Sequence, residues 1–450
     1  MTTKVEQQTA LTQDSLKAFS DRYHNEPLRQ ALSNAIQKHG INATAMNPRR
    51  IPEIPYTFSH EIASGPITHQ RQSGRCWIFA GLNALRIPLM REKKIKEFEI
   101  SQTYLMFWDK LEKSNYFLET IIDTADEPTD GRLISWLLQA PVQDGGQWDM
   151  LVNLIEKYGL VPKYVMPETF HSSQSMPMNR LLTVKLREDA ASLRKAHQSG
   201  SSRDELAATK EAMVSDIYQI LANFLGEPPH EFTFEYRDED KAFHQELHLT
   251  PQEFYKQFVG VNLADYVSLI HAPTADKPFG RTYTVQYLGN VRGGKPVRYL
   301  NVDINTLKDA AQTQILHDEP VWFGCDVGKM SDRDSGIMDP ALFDFAQALG
   351  VSFAMDKAQR LNYGESQMTH AMVLTGVNLL DGHPNRWKVE NSWGTDPGHD
   401  GFFVMSDPWF DEYLYQVVIN RKYLSAELRE AFRQDPIVLP PWDPMGSLAH

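Results

Sequence analysis

Two cysteines stand in this chain of 450 residues, and one of them, Cys76, lies in the stretch HQRQSGRCW just where an apolar run begins. From Cys76 to Leu85 the chain is apolar on nearly every side (Trp77, Ile78, Phe79, Ala80, Leu82, Leu85), the pattern of a helix buried all round. A thiol at the N-terminus of such a helix meets unpaired backbone N–H groups and the positive end of the helix dipole, which favour the nucleophilic thiolate. To work on a carbonyl, a thiolate needs a partner that holds its proton as imidazolium and delivers it to a leaving amine. Most of the 15 histidines sit in polar, loop-like surroundings. His370 differs: in MTHAMVL it heads an apolar strand, where an imidazole has no packing role. Asn391 follows 21 positions later in VENSWG, on the next predicted strand. Its amide oxygen can accept from the imidazole and fix the tautomer, with Trp393 screening the pair from water. Cys325, inside VWFGC, reads as inert core.

These groups must be positioned by elements of two kinds. Residues 11 to 40 show helical spacing (Leu11, Leu16, Phe19, Leu28, Leu32, Ile36), Pro88 is expected to kink or end the Cys76 helix, and a periodic helix runs from Trp148 to Tyr158 directly after Gly145-Gly146. Residues 180 to 225 read as charged helix and 231 to 250 as a hairpin turning at DEDK. Beyond about residue 318 the texture changes to strands: PVWFGCDVG, THAMVLTGV, RWKVENSWG and GFFVMSD. Helices early and strands late predict an α+β fold in which the chemistry bridges the two halves. The end, PPWDPMGSLAH, has three prolines in its first five residues and predicts an extended arm.

Composition narrows the function. With 42% hydrophobic and 23% charged residues the chain is an ordinary globular protein of more than one part, and its apolar runs fall short of the roughly 20 residues of a membrane span. A net charge of −13 makes nucleic acid an unlikely partner. Two cysteines cannot make a disulfide framework, and the polar start MTTKVEQQTALTQDSLKAF lacks an export signal's apolar segment, so a cytoplasmic location is expected. His244 and His248 share an i, i+4 spacing, but the intervening residues do not fit a metalloprotease motif, and neither a metal nor another cofactor is expected.

The QRQSGRCW block, the strand beginning at His370 and NSWG, in that order, resemble the three active-site blocks of papain-like cysteine proteases. The resemblance implies that Gln70, six residues before the nucleophile, completes an oxyanion hole with the Cys76 backbone N–H, and that Gly145 and Gly146 in DGGQW line the substrate cleft. His370 stands 294 positions after Cys76, about twice the roughly 130 to 150 usual for papain and cathepsins, so something of domain size is inserted. That insertion, with SGRCW, VWFGCDVG and the terminal WDPMGSLA, resembles the bleomycin hydrolase and aminopeptidase C family. A two-lobed papain-like fold follows, a helical lobe beside a β-barrel-like lobe. Expected boundaries are an N-terminal helical extension at 1–60, the nucleophile lobe at 61–165, a mainly helical insertion at 166–310, the His/Asn lobe at 311–425 and the arm at 426–450. The resemblance further implies that the arm reaches the cleft through Ala449 and His450, meets a peptide's free α-amino group and makes the enzyme an aminopeptidase, assembled as a hexamer. The alternatives are an endopeptidase of the same fold and a ring-forming binding protein with incidental peptidase activity.

Overall fold

The computed structural model describes residues 10–449; the start of the expected 1–60 extension and His450 lie outside them. The Cys76–Lys93 helix forms where expected and is buried along most of its length. It runs through Pro88, which is expected to kink or end it. An interior proline costs about 3 kcal/mol. Ile87, Leu89 and Met90 are all buried beside it, and each contributes about 1.5–3 kcal/mol, so packing on this turn outweighs the lost hydrogen bond.

The charged segment resolves into two long helices, Met176–Gln198 and Arg203–Leu225, the second opened by a capping box between Ser202 and Glu205. The hairpin follows as strands Phe232–Arg237 and Phe243–Leu249. His244 and His248 therefore stand on a strand, where they pair with Asp238 and Glu231.

A large mixed sheet of twelve strands forms among the described residues. At its centre His370–Leu380 lies between Val321–Cys325 and His383–Glu390, both antiparallel to it, with Phe402–Ser406 beyond. On its other side the sheet takes in Leu414–Asn420, Tyr266–Ile270, Tyr299–Asn301, Arg281–Val285 and Ile437–Leu439. Three of these strands come from residues 266–301, so the sheet crosses the boundary expected at 310.

Strand periodicity sorts side chains to the two faces. Ala371 and Val373 join the core around the Cys76–Lys93 helix, while Met372 and Leu374 join the core on the opposite face. Asp381-Gly382 turns the chain from His370–Leu380 into His383–Glu390 with both φ positive, at 50° and 83°. That is the tight turn whose twist matches a hairpin, and it brings Asn391 back beside the strand that starts at His370.

Candidate active site

Helix and sheet meet at Cys76. Its sulfur accepts from the backbone N–H groups of Ala371, Trp77 and Cys76 itself, so the nucleophile lies against the residue next to His370. The helix starts at Cys76 with Arg75 as its cap residue. Arg75 is buried and held by a two-pronged ion pair to Glu168, at 2.8 and 3.2 Å. Burial alone would raise the Glu168 carboxyl, but Arg75 and Lys163 lower it to about 2.

Burial works against the expected thiolate. Cys76 is fully buried, and burial pushes its thiol up to about 12 against the three backbone donors. Desolvation disfavours the charged form, while the helix terminus and the backbone donors favour it. Cys325 is buried and raised for the same reason, in keeping with a core role.

His370 Nε2 lies 2.9 Å from Asn391 Oδ1. The Ser392 backbone N–H donates to that same oxygen at 2.8 Å, so the atom is an acceptor and Nε2 must carry the hydrogen. Nδ1 is then the basic nitrogen of the neutral ring. Both side chains are buried, and the Trp393 ring lies 5.0 Å from the His370 ring as a half-buried cover.

Gln70 is held from two directions. Its amide nitrogen donates to the Ser73 carbonyl at 2.7 Å, and its Oε1 accepts from Ser392 Oγ at 2.7 Å. An amide nitrogen has two hydrogens, so a second N–H remains for a ligand. Ser392 thus serves both Asn391 and Gln70; nothing in its residue type singles it out, because its role exists only once the two loops meet.

The Gly145-Gly146 wall is tied to the nucleophile by buried charge. The Asp144 carboxylate accepts from the Gly74 N–H at 2.9 Å, from Lys110 at 2.5 Å, from Asn179 at 2.8 Å and from Ser175, while its backbone carbonyl takes the Trp77 indole N–H at 2.7 Å. Burial works against ionisation here, but Lys110 and these donors hold the carboxyl far below its usual range. Lys113 donates to the Gly145 carbonyl at 2.6 Å, and Trp77 packs so closely under Gly146 that an added Cβ would lie 2.4 Å from its ring. Asp144, Lys110 and Lys113 escape a sequence reading because charged residues are normally solvated. A second buried pair, Arg86–Glu390 at 2.8 Å, joins the nucleophile helix to the residue before Asn391.

The arm ends in this cleft. Ile437–Leu439 joins the sheet edge, Pro444–Gly446 makes one tight turn, and Ala449 pairs antiparallel with Gly146 through N–H···O contacts of 3.1 and 3.3 Å. Ser447 donates to the Met368 carbonyl at 2.6 Å and accepts at its own carbonyl from Gln147 at 2.6 Å, so the arm touches both walls. Ala449 is fully buried. Among the described residues no group of three or more His, Cys, Asp or Glu could hold a metal ion, and no helix is long and apolar enough to cross a membrane.

The model of the Peptidase C1-like family matches residues 10–446. Aminopeptidase C of Listeria monocytogenes is 54% identical over 442 residues, covering 98% of this chain and 100% of the relative. Human bleomycin hydrolase is 42% identical over 451 residues, covering 98% and 99%. The crystal structure of PepW from Lactobacillus rhamnosis superposes with a TM-score of 0.97 at 53% identity, covering 98% of this chain and 100% of that one. The fold is thus the papain-like one, mixed α and β around a large sheet.

Proposed function

Because the chain belongs to the Peptidase C1-like family, we propose that it is a cysteine aminopeptidase that releases N-terminal residues from peptides. The observation that carries the exopeptidase reading is the pairing of Ala449 with Gly146, since an arm lying there leaves no room for chain upstream of the first residue. The end of the arm is then what meets a substrate's free α-amino group, a contact an N-blocked peptide cannot make.

The chemistry follows from the groups at hand. His370 Nδ1 takes the Cys76 proton and the sulfur attacks the scissile carbonyl. The oxyanion accepts from the Cys76 N–H and from the remaining Gln70 N–H. The C–N bond breaks, the imidazolium protonates the departing amine, and a thioester remains. A water molecule deprotonated by His370 then attacks the thioester, releasing the amino acid and restoring the thiol. Asn391 holds the imidazole through both half-reactions, and no step calls for a metal or another cofactor.

The same reading keeps a two-lobed division, with the strands of 266–301 counted to the lobe of 311–425, a hexameric assembly and a cytoplasmic location. Supporting assembly, Leu11, Phe19 and Leu28 expose apolar side chains on the N-terminal helical segment. Supporting location, a working Cys76 needs the reduced state that a reducing compartment maintains. The test pairs a dipeptide amide bearing a free amino group with its N-acetylated counterpart. Only the first should be hydrolysed, and alkylating Cys76 should abolish it; equal hydrolysis of both would favour the endopeptidase.

A further inference from the structure

The arm fills the cleft on the Gly146 side of Cys76, so the departing part of a peptide must run the other way, across Trp393. There the surface opens into a recess of about 420 Å³ lined by His69, Arg71, Gln72, Ser173, Gln174 and Arg333. Two guanidinium groups share this recess on a chain of net charge −13. Neither is ion-paired with a carboxylate among the described residues; Asp396 is the acidic group acting on His69 from nearby.

The recess is built. Arg333 sits over the Trp393 ring at 5.4 Å, two contacts from the catalytic imidazole. Arg71 follows Gln70 directly and is held in the left-handed region at φ 57°, with its N–H donating to His69 Nδ1 at 3.0 Å. A residue other than glycine persists in that region only where its surroundings fix it. Here the His69 ring is seated on Gly394, where any Cβ would come within 2.6 Å of it, and the Gln72 N–H is anchored to the Ser173 carbonyl at 2.9 Å.

We propose that this recess is a carboxylate subsite for the leaving portion of the substrate, with Arg71 and Arg333 binding either its C-terminal carboxylate or an acidic side chain. The proposal rests on the aminopeptidase reading. The ring contacts of 5.0 and 5.4 Å keep Arg333 within about 10 Å of the imidazole, and an extended residue spans about 3.5 Å, so a leaving portion of two or three residues reaches the guanidinium groups.

The test measures kcat/KM for a tripeptide with a free C-terminal carboxylate, its C-terminal amide, an amide carrying Glu at the last position, and a neutral aminoacyl amide as reference. The wild-type chain should prefer the free carboxylate over the amide by at least about fivefold through KM, and the ratio should shrink as salt rises to about 0.5 M. In the Arg71→Gln/Arg333→Gln double variant the ratio, read within that variant, should fall towards one. Equal gains from the free carboxylate and from Glu would show that both sources are accepted; a gain from one alone assigns the site to that source. Hydrolysis of the neutral reference with no salt-sensitive carboxylate preference in the wild-type chain would overturn the subsite, as would a preference the double variant retains. Failure of the wild-type chain on the neutral reference would instead sink the aminopeptidase reading.

Discussion

The two sides of the cleft are built on opposite plans. On the Gly146 side the wall is buried: Gly145, Gly146 and Ala449 are covered, and behind them Asp144, Lys110 and Lys113 form a buried network of charge. On the Trp393 side Arg71, Gln72 and Arg333 are exposed around an open recess. One nucleophile serves both, so selectivity lies in the asymmetry of the walls. A wall that must stop a chain has to be rigid, and buried ion pairs supply that rigidity. A wall that must release an amine has to stay open.

The largest expected effect removes both sides at once. Cys76→Ser should lower kcat by at least about 10⁴-fold with little change in melting temperature, whereas Cys325→Ser should keep the activity. Turnover above a tenth of wild type in Cys76→Ser would reject the nucleophile. Next, Gln70→Ala should cost about 10²–10³ in kcat, the range for one lost oxyanion donor, with KM moving much less. A change confined to KM would move Gln70 from transition-state stabilisation to substrate binding.

Deleting residues 447–450 attacks the closed side alone. Cleavage of free-amino dipeptide amides should fall by about 10- to 100-fold while N-acetylated or longer peptides become substrates. Retention of the full free-amino preference would show that another group binds the amine. Gly146→Ala is the milder version: its Cβ meets the Trp77 ring at 2.4 Å, so the wall must shift, costing about 1–3 kcal/mol in stability and loosening the arm, measurable as a lower melting temperature with raised KM.

The last effect leaves activity at neutral pH untouched and concerns acid stability. Glu168 drops from its ordinary 4.5 to about 2 in the folded chain, so its pairing with Arg75 stabilises the fold above about pH 4.5 and that contribution is lost as pH falls towards 2. The loss should be on the order of 3 kcal/mol and absent from Glu168→Gln, as read by denaturation between pH 5 and 2. An unchanged acid limb in the variant would mean other carboxylates set it.

Much of the site was legible because its members carry chemistry that packing does not explain. A cysteine at the head of a buried helix and an imidazole at the head of an apolar strand are both conspicuous, and the structure brings them together with Asn391. Ser392, Asp144 and Lys110 were not legible, since a serine in a turn and charges on a helix look ordinary until the loops that use them are adjacent. Pro88 illustrates a related point: of the kink or end it predicts, the end is excluded, because long-range burial of its neighbours keeps the helix going. The strands at 266–301 were hidden by their shortness, three to five residues each, which leaves too little alternation to read.

By itself, then, the sequence singled out Cys76, His370 and Asn391 and the order in which they occur, because residue type and local periodicity are properties of short stretches. Tertiary structure alone decided how deeply Cys76 is buried, and with it the upward push on its thiol that no local pattern records. It also decided which nitrogen of His370 carries the hydrogen, through the shared oxygen of Asn391, and which side of the cleft is closed, through the contact of Ala449 with a glycine some 300 positions earlier. Desolvation and contact between distant segments depend on where chains meet, and that is set only when the whole core has packed.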